Sequence, residues 1–369
     1  MLSHLLNPFS FSEDDYASYQ WGARISFLGG AIPESCTIAL LSYAQDKSEY
    51  FLQLRKALYR LSANFEQHMV IDLGAVKGNE LGLKETLDIL LKKGILPIVL
   101  TDQVNTVATQ LDYYKLHKQI FSSSFIHSHL DYQWKNHKKD RATTELGCFL
   151  KHYPMPLCQL SCIGYQSYFV DNLVLDLLDS KHISLYRLGS IRSKLTEIEP
   201  MLRDTDFLYF NLSSIKSSDA PNTLFANPNG FSGEEACTIV RYAALGDRLK
   251  HICLSAYTEN QTDRGQTARL VAQMIWYIVL GFKQRKHDYP ISLNDFTHYA
   301  VDSTYTDEPL QFIKSLKSAR WWFRPNNKKW EDSDEQDLIS CSHRDYLTAC
   351  EGELTDRILR ALKEANRTK

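Results

Sequence analysis

Short apolar runs alternate with helical patterns along most of this chain, and that rhythm narrows its possible folds more than any other feature. Residues 95–100 (ILPIVL) are apolar throughout, and 69–74 (MVIDLG) nearly so. Strands of this kind have no polar face, so they suit the interior of a parallel sheet covered on both sides. Residues 48–61 are amphipathic, with Phe51, Leu54, Leu58 and Leu61 on one helix face, and 80–93 are helical up to the terminating Gly94. Further strands are predicted at 24–30, 119–126, 157–164, 183–188, 206–213 and 251–256. Further helices are predicted at 33–43, 104–117, 168–179, 192–203, 232–244 and 266–282. The lysine-rich stretch 131–146 reads as a solvated loop. Connections long enough for right-handed crossovers then give a three-layer α/β/α fold with a mainly parallel eight-stranded sheet. Residues 1–290 form this α/β domain. Residues 291–369 form an extension packed on it, with a β-hairpin at 310–314 and 319–324 and charged helices beyond. Adjacent Trp321 and Trp322 in the second arm point to opposite faces, which suggests one in the core and one against a partner element, with simple packing of both within the monomer the favoured reading.

Composition removes several function classes. At 369 residues and 44% hydrophobic, the core is large enough to need no disulfide staple. A net charge of −2 gives no electrostatic reason for a nucleic-acid or membrane partner. The eight cysteines form no C-x-x-C and read as reduced core thiols of a cytoplasmic protein. The first twenty residues lack the basic start and apolar core of a signal peptide, and 268–282 is too short to span a bilayer. Neither G-x-G-x-x-G nor G-x-x-x-x-G-K occurs, so no phosphate loop is expected.

The chemistry concentrates where the strands end, since ligands of such sheets bind outside the carboxyl ends. His127-Ser128-His129-Leu130-Asp131 follows the fourth strand. In an extended chain His127, His129 and Asp131 point the same way, and two imidazoles with a carboxylate suit a single zinc, iron or manganese ion. His129 and Asp131 are then the catalytic candidates. A polar cluster with each histidine satisfied by a neighbour such as Gln103 or Asn211 is the competing reading. Ser167, Ser213 and Ser255 lack nucleophile-elbow glycines, and Asp219 reads as a turn-former.

Taken together, the strand ends resemble the ureohydrolase superfamily (arginase, agmatinase, formimidoylglutamase). That pattern has G-G-D-H at one strand end, D-A-H-x-D at the next and a later D-x-D. The resemblance runs from Ile25 to about Phe282. The phrases Ile71-Asp72-Leu73-Gly74, Ile163-Gly164-Tyr165-Gln166-Ser167-Tyr168, Pro228-Asn229-Gly230-Phe231 and Ala319-Arg320-Trp321-Trp322 are similar to a divergent formimidoylglutamase-like branch. It implies an arginase-like fold, hydrolysis of non-peptide C–N bonds in linear amidines, two manganese ions with a bridging hydroxide, and trimers or hexamers.

The resemblance also shows where this chain departs from the pattern. Gln103 stands at a histidine ligand position, His127 at an aspartate, and Asn211 and Ser213 at the two aspartates of D-x-D, while His129 and Asp131 match. At an effective dielectric of about 20, each lost carboxylate forfeits about 4–8 kcal/mol of attraction per divalent ion. The expectation is therefore a ureohydrolase-fold protein without its manganese pair and with no cofactor, inactive or weakly active. It would act by binding a small polar or amino-acid-like ligand, or by assembling with itself or an intact paralogue. Gln103, Asn211, Ser213, Tyr257 and Glu259 are the pocket candidates, Tyr257 and Glu259 lying near where the resemblance implies a guanidinium-pairing glutamate. The alternative is an active hydrolase of a formimidoylglutamate-, arginine- or agmatine-like substrate with an altered, mononuclear site.

Overall fold

A computed structural model describes residues 4–367 apart from 10, 12–14, 30, 45–50, 64, 78, 104, 133–143, 260–262, 291–292 and 326–337. Gly30, the helix start at 48–50, Val104, most of the lysine-rich stretch, Asn260 and 333–337 therefore lie outside the described residues.

In chain order the first half runs β1 (Leu6–Asn7), β2 (Ser26–Phe27), β3 (Ile38–Tyr43), α1 (Leu52–Tyr59), β4 (Val70–Val76), α2 (Glu80–Lys92), β5 (Leu96–Thr101), α3 (Thr106–Leu116), β6 (Phe121–Ile126) and α4 (Glu145–His152). It continues with β7 (Leu157–Tyr165), α5 (Asn172–Ser180), β8 (Ser184–Arg187), α6 (Leu188–Arg192), α7 (Glu199–Arg203), β9 (Phe207–Asn211), α8 (Gly233–Leu245), β10 (His251–Ser255) and α9 (Gln266–Lys283). The extension adds β11 (Phe296–Val301), β12 (Leu310–Ser315), β13 (Trp321–Arg324), β14 (Ile339–Cys341), α10 (His343–Cys350) and α11 (Asp356–Arg367).

The strands form one sheet in the order β1-β4-β3-β5-β10-β9-β6-β7-β8, with β2 beside β4. All its pairs are parallel except β1 with β4. Side chains alternate between its faces as the pleat requires. Ile98, Leu208, Phe210, Ile252 and Leu254 pack with α1, α8 and α9. On the other face Phe207, Tyr209 and Cys253 pack with α3, α4 and α5, while Ala39, Leu41 and Val99 pack with α2. The layers are those expected of an α/β/α fold. Among the described residues no helix is long and apolar enough to cross a membrane.

Four local expectations need correction. Residues 38–43 (IALLSY), read as the end of a helix opening at Pro33, are a fully buried strand paired with both β4 and β5. Six consecutive apolar or small side chains suit a central strand, and burial on both faces decided the matter. The sheet has ten strands rather than eight: the two additions are β3 and the two-residue β1, which carries no pattern to read, while the strand expected at 24–30 is only the two-residue β2. The 192–203 helix is broken into α6, a 3-10 turn and α7, with Pro200 in the first turn of α7. Finally, residues 145–146, read as loop, begin α4. Gly74 is held by sterics: its φ is +77°, and an added Cβ would sit 2.1 Å from the Asn7 carbonyl of the antiparallel β1.

The expected hairpin is half of a four-stranded antiparallel sheet, β11-β12-β13-β14. Trp321 and Trp322 do point to opposite faces, and both are buried within the chain. Arg203 of α7 clasps this sheet. Its guanidinium donates to the Trp321 and Cys341 carbonyls at 3.0 and 3.3 Å and lies 4.6 Å over the Trp322 ring. Next to it, the buried Asp204 carboxylate accepts the Ser340 N–H and O–H at 2.9 and 2.6 Å. Arg203→Ala should lower stability by about 1.5–3 kcal/mol by orphaning two carbonyls, and should shift tryptophan emission to the red. Chemical denaturation followed by fluorescence checks this; an unchanged midpoint would refute the clasp.

Candidate functional site

Register brings the site residues level. Ser255 of β10 pairs with Asn211 of β9, and Ile126 of β6 pairs with Phe210, so His127 follows beside Asn211. These neighbouring strands end together at the carboxyl edge of the sheet centre.

His127 is buried, and both of its ring nitrogens are engaged. Nδ1 accepts the His129 backbone N–H at 2.8 Å, which leaves the ring proton on Nε2, 2.8 Å from a Glu145 carboxylate oxygen. Glu145 opens α4, where Thr144 caps the helix by accepting the Gly147 N–H at 3.0 Å. A carboxylate there is also favoured by the helix dipole. Its other oxygen accepts the Asn211 amide at 3.0 Å and the Tyr209 hydroxyl in a short hydrogen bond. Tyr209 in turn accepts from Ser255 Oγ at 2.7 Å. Burial pushes the Glu145 carboxyl up. The His127 ring and the hydrogen bonds from His127, Tyr209 and Asn211 outweigh it and hold the group below its usual range. The Tyr209 hydroxyl is driven well above its usual value, first by burial and then by the Glu145 charge.

His129 does not share the environment of His127. The strand stops at Ile126, so side-chain alternation ends there, and the two rings stand at 89° with centroids 5.8 Å apart. His129 Nδ1 meets Ser128 Oγ at 2.8 Å, and its ring stacks on Phe169 at 4.1 Å. Burial first, and His127 second, push its pKa down against the opposing pull of Asp131 and Glu145. Asp131 is exposed. Among the described residues, no three His, Cys, Asp or Glu side chains converge as a metal-ligand group.

The remaining predicted residues divide by location. Asn211 joins the Glu145 cluster and also accepts the Ser213 N–H at 2.9 Å. Ser213 Oγ accepts the Phe225 N–H at 3.1 Å, anchoring the polar loop that follows β9. Gln103 turns the chain into α3, its N–H reaching Thr101 Oγ1 at 3.0 Å and its carbonyl accepting from Thr106 Oγ1 at 2.8 Å. Tyr257 is buried edge-on to Phe51 at 5.0 Å. Glu259 accepts the Gln53 N–H at 2.7 Å and the Leu54 N–H at 3.3 Å, so it caps α1 rather than joining the cluster. Burial raises the Glu259 carboxyl, with these backbone bonds opposing.

The rim is aromatic. Gln166 donates to the Asn229 carbonyl at 3.1 Å and receives the Tyr168 hydroxyl, joining the loops after β7 and β9. Gly164, at φ +87°, lets these loops close, because a Cβ there would lie 2.4 Å from the Phe231 ring. Tyr168 and Phe225 stand exposed at this rim. A separate open hollow of about 620 Å³ lies between α8 and α9, lined by Asp219, Glu234, Arg241 and Arg269 among others.

Glu145 was missed by the sequence reading. Thr144-Glu145 before the apolar run Leu146–Leu150 is a helix-start signal that was available. Its reach of 18 residues back to His127 and 66 forward to Asn211 was not.

No known family's sequence model matches the chain, and no curated protein does. Solved structures do match. A formiminoglutamase from Trypanosoma cruzi with Mn2+ superposes with a TM-score of 0.60 at 18% identity, covering 70% of this chain and 96% of that one. The formimidoylglutamase of Bacillus subtilis gives 0.63 at 18% identity over 75% of this chain and 95% of that one. An agmatine ureohydrolase of Thermoplasma volcanium gives 0.56 at 13% identity over 73% and 96%. The chain therefore has the fold of these proteins, with about a quarter or more of its length beyond the match.

Proposed function

We propose that this chain is a divergent relative of the ureohydrolases, of the formimidoylglutamase kind, that does not hold a dinuclear metal centre. It works by binding a small polar, amino-acid-like ligand at the strand ends, or by assembling with itself or an intact paralogue. The observation that carries this reading is the Glu145 carboxylate. It lies between His127 and Asn211, two of the positions at which the resemblance implies metal ligands.

The residues present do not fit two manganese ions. A metal ligand must offer a lone pair, yet His127 has one nitrogen bonded to a backbone N–H and turns the proton of the other toward Glu145. Asn211 likewise directs its N–H, not its carbonyl, into the cluster. Ser213 is a neutral hydroxyl that already serves Phe225. The loops at 164–167 and 217–230 would line the ligand site, with Tyr168 and Phe225 at its rim.

A second reading has its own support. The fold is that of hydrolases, one of them solved with Mn2+, and His129 and Asp131 stand outside the Glu145 cluster. On that reading the chain is a hydrolase of linear amidines with a single altered metal.

Metal analysis separates the two. Protein incubated with excess Mn2+ or Zn2+ and desalted is expected to retain far less than one ion per chain. It is also expected to release no formamide from formimidoylglutamate, and no urea from arginine or agmatine. One retained ion per chain that vanishes in His129→Ala, together with turnover, would establish the hydrolase instead.

A further inference from the structure

We infer that the strand-end cluster is an anion site of the carboxylate class, and that its resident anion is the side chain of Glu145. The inference deepens the reading above and rests on it.

The direction of the hydrogens carries the case. A cation site presents lone pairs inward. Here the groups that meet between β6, β9 and α4 are the His127 Nε2–H, the Tyr209 O–H and the Asn211 Nδ2–H, and all three point at one carboxylate. Three further contacts lock those directions. His127 cannot reverse its tautomer without losing the His129 N–H on Nδ1 at 2.8 Å. Tyr209 receives the Ser255 hydroxyl at 2.7 Å, which commits its own proton to Glu145. Asn211 is fixed the same way, since its carbonyl oxygen takes the Ser213 N–H at 2.9 Å. Tyr209 and Asn211 are fully buried, so these donors cannot turn to bulk water. Convergent, pre-aimed donors around a desolvated position select negative charge, as an oxyanion hole does.

The cluster also explains how a carboxylate stays ionised while enclosed. Three donors on two oxygens offset the burial that would otherwise neutralise it. The site is built for an anion, and the chain supplies the anion itself from the first turn of α4.

Removing the side chain while keeping the donors tests this directly. In Glu145→Ala the vacated space matches a small carboxylate. Sodium acetate, compared with sodium chloride at equal ionic strength, is expected to raise the Tm of Glu145→Ala by about 2–4 °C. The same addition should leave the wild type and Glu145→Gln unmoved, since both fill the space. Should Glu145→Ala be too unstable to purify, the yield of folded protein on refolding in acetate against chloride gives the same readout. Acetate rescue absent from both measurements would overturn the anion site, as would a larger stabilisation of Glu145→Ala by Mn2+ or Zn2+ than by acetate. Retention of Mn2+ by the wild type would overturn the underlying reading instead, so the two failures are distinguishable.

Discussion

Arg55→Met should destabilise the protein by about 3–5 kcal/mol, measured as the change in unfolding free energy in urea. Arg55 and Asp72 are both fully buried and form a bidentate pair, Nε to one carboxylate oxygen at 2.7 Å and Nη2 to the other at 2.9 Å. Asp72 also accepts the Gly74 N–H at 2.8 Å and the Tyr59 hydroxyl, while Arg55 reaches the Gly74 carbonyl at 3.1 Å and Ser42 at 3.3 Å. The network ties α1 to β3 and β4. Deleting the guanidinium strands a carboxylate where water does not reach, and that orphaned charge, rather than the lost attraction, sets the cost. Arg55→Met/Asp72→Leu should accordingly be milder than the sum of the single changes. A cost below about 1 kcal/mol for Arg55→Met, or strict additivity of the pair, would show that the charges are not desolvated as described.

Acid should unfold the protein through His251 more than through any exposed histidine. His251 begins β10 fully buried, 4.4 Å over the Phe207 ring, and neither ring nitrogen has a hydrogen-bond partner among the described residues. Burial alone pushes its pKa down to about 3, from an ordinary 6.5. The folded protein thus holds this ring neutral, while the unfolded chain protonates it below pH 6.5. The stabilisation is complete above 6.5 and is lost progressively as pH falls toward 3, reaching about 3 kcal/mol near pH 4.5. His251→Phe keeps a ring on Phe207 and removes the titration, so its stability should fall less steeply in that window. Parallel denaturation curves across pH 4–7 for wild type and His251→Phe decide it. If the two lose stability at the same rate, His251 is not the acid-sensitive group.

Much of the fold was readable because parallel strands buried on both faces leave an unmistakable mark. ILPIVL became β5 and MVIDLG became β4, each within two residues of expectation. IALLSY failed for the opposite reason, since a short apolar run carries no period of its own and a neighbouring Pro-Glu-Ser looked like a helix start. The site was half readable. His127, His129, Asn211 and Ser213 sit at strand ends, where the fold rule placed them. Glu145 was not readable as part of the site, because a glutamate beside a lysine-rich run suggests solvent, and its burial depends on packing α4 against β6 and β9. Glu259 shows the same limit from the other side. It looked like a ligand anchor, and it satisfies the first N–H groups of α1, more than 200 residues earlier in the chain.

The Arg203 clasp has a consequence in time. Trp321 and Cys341, which it grips, lie 118 and 138 residues further along. A chain emerging from the ribosome completes all ten strands of its large sheet before β13 and β14 exist. Until then Arg203 has only its local partner Glu199, and Asp204 lacks Ser340. The clasp is therefore a long-range closure that can form only once residues 321–341 have been delivered.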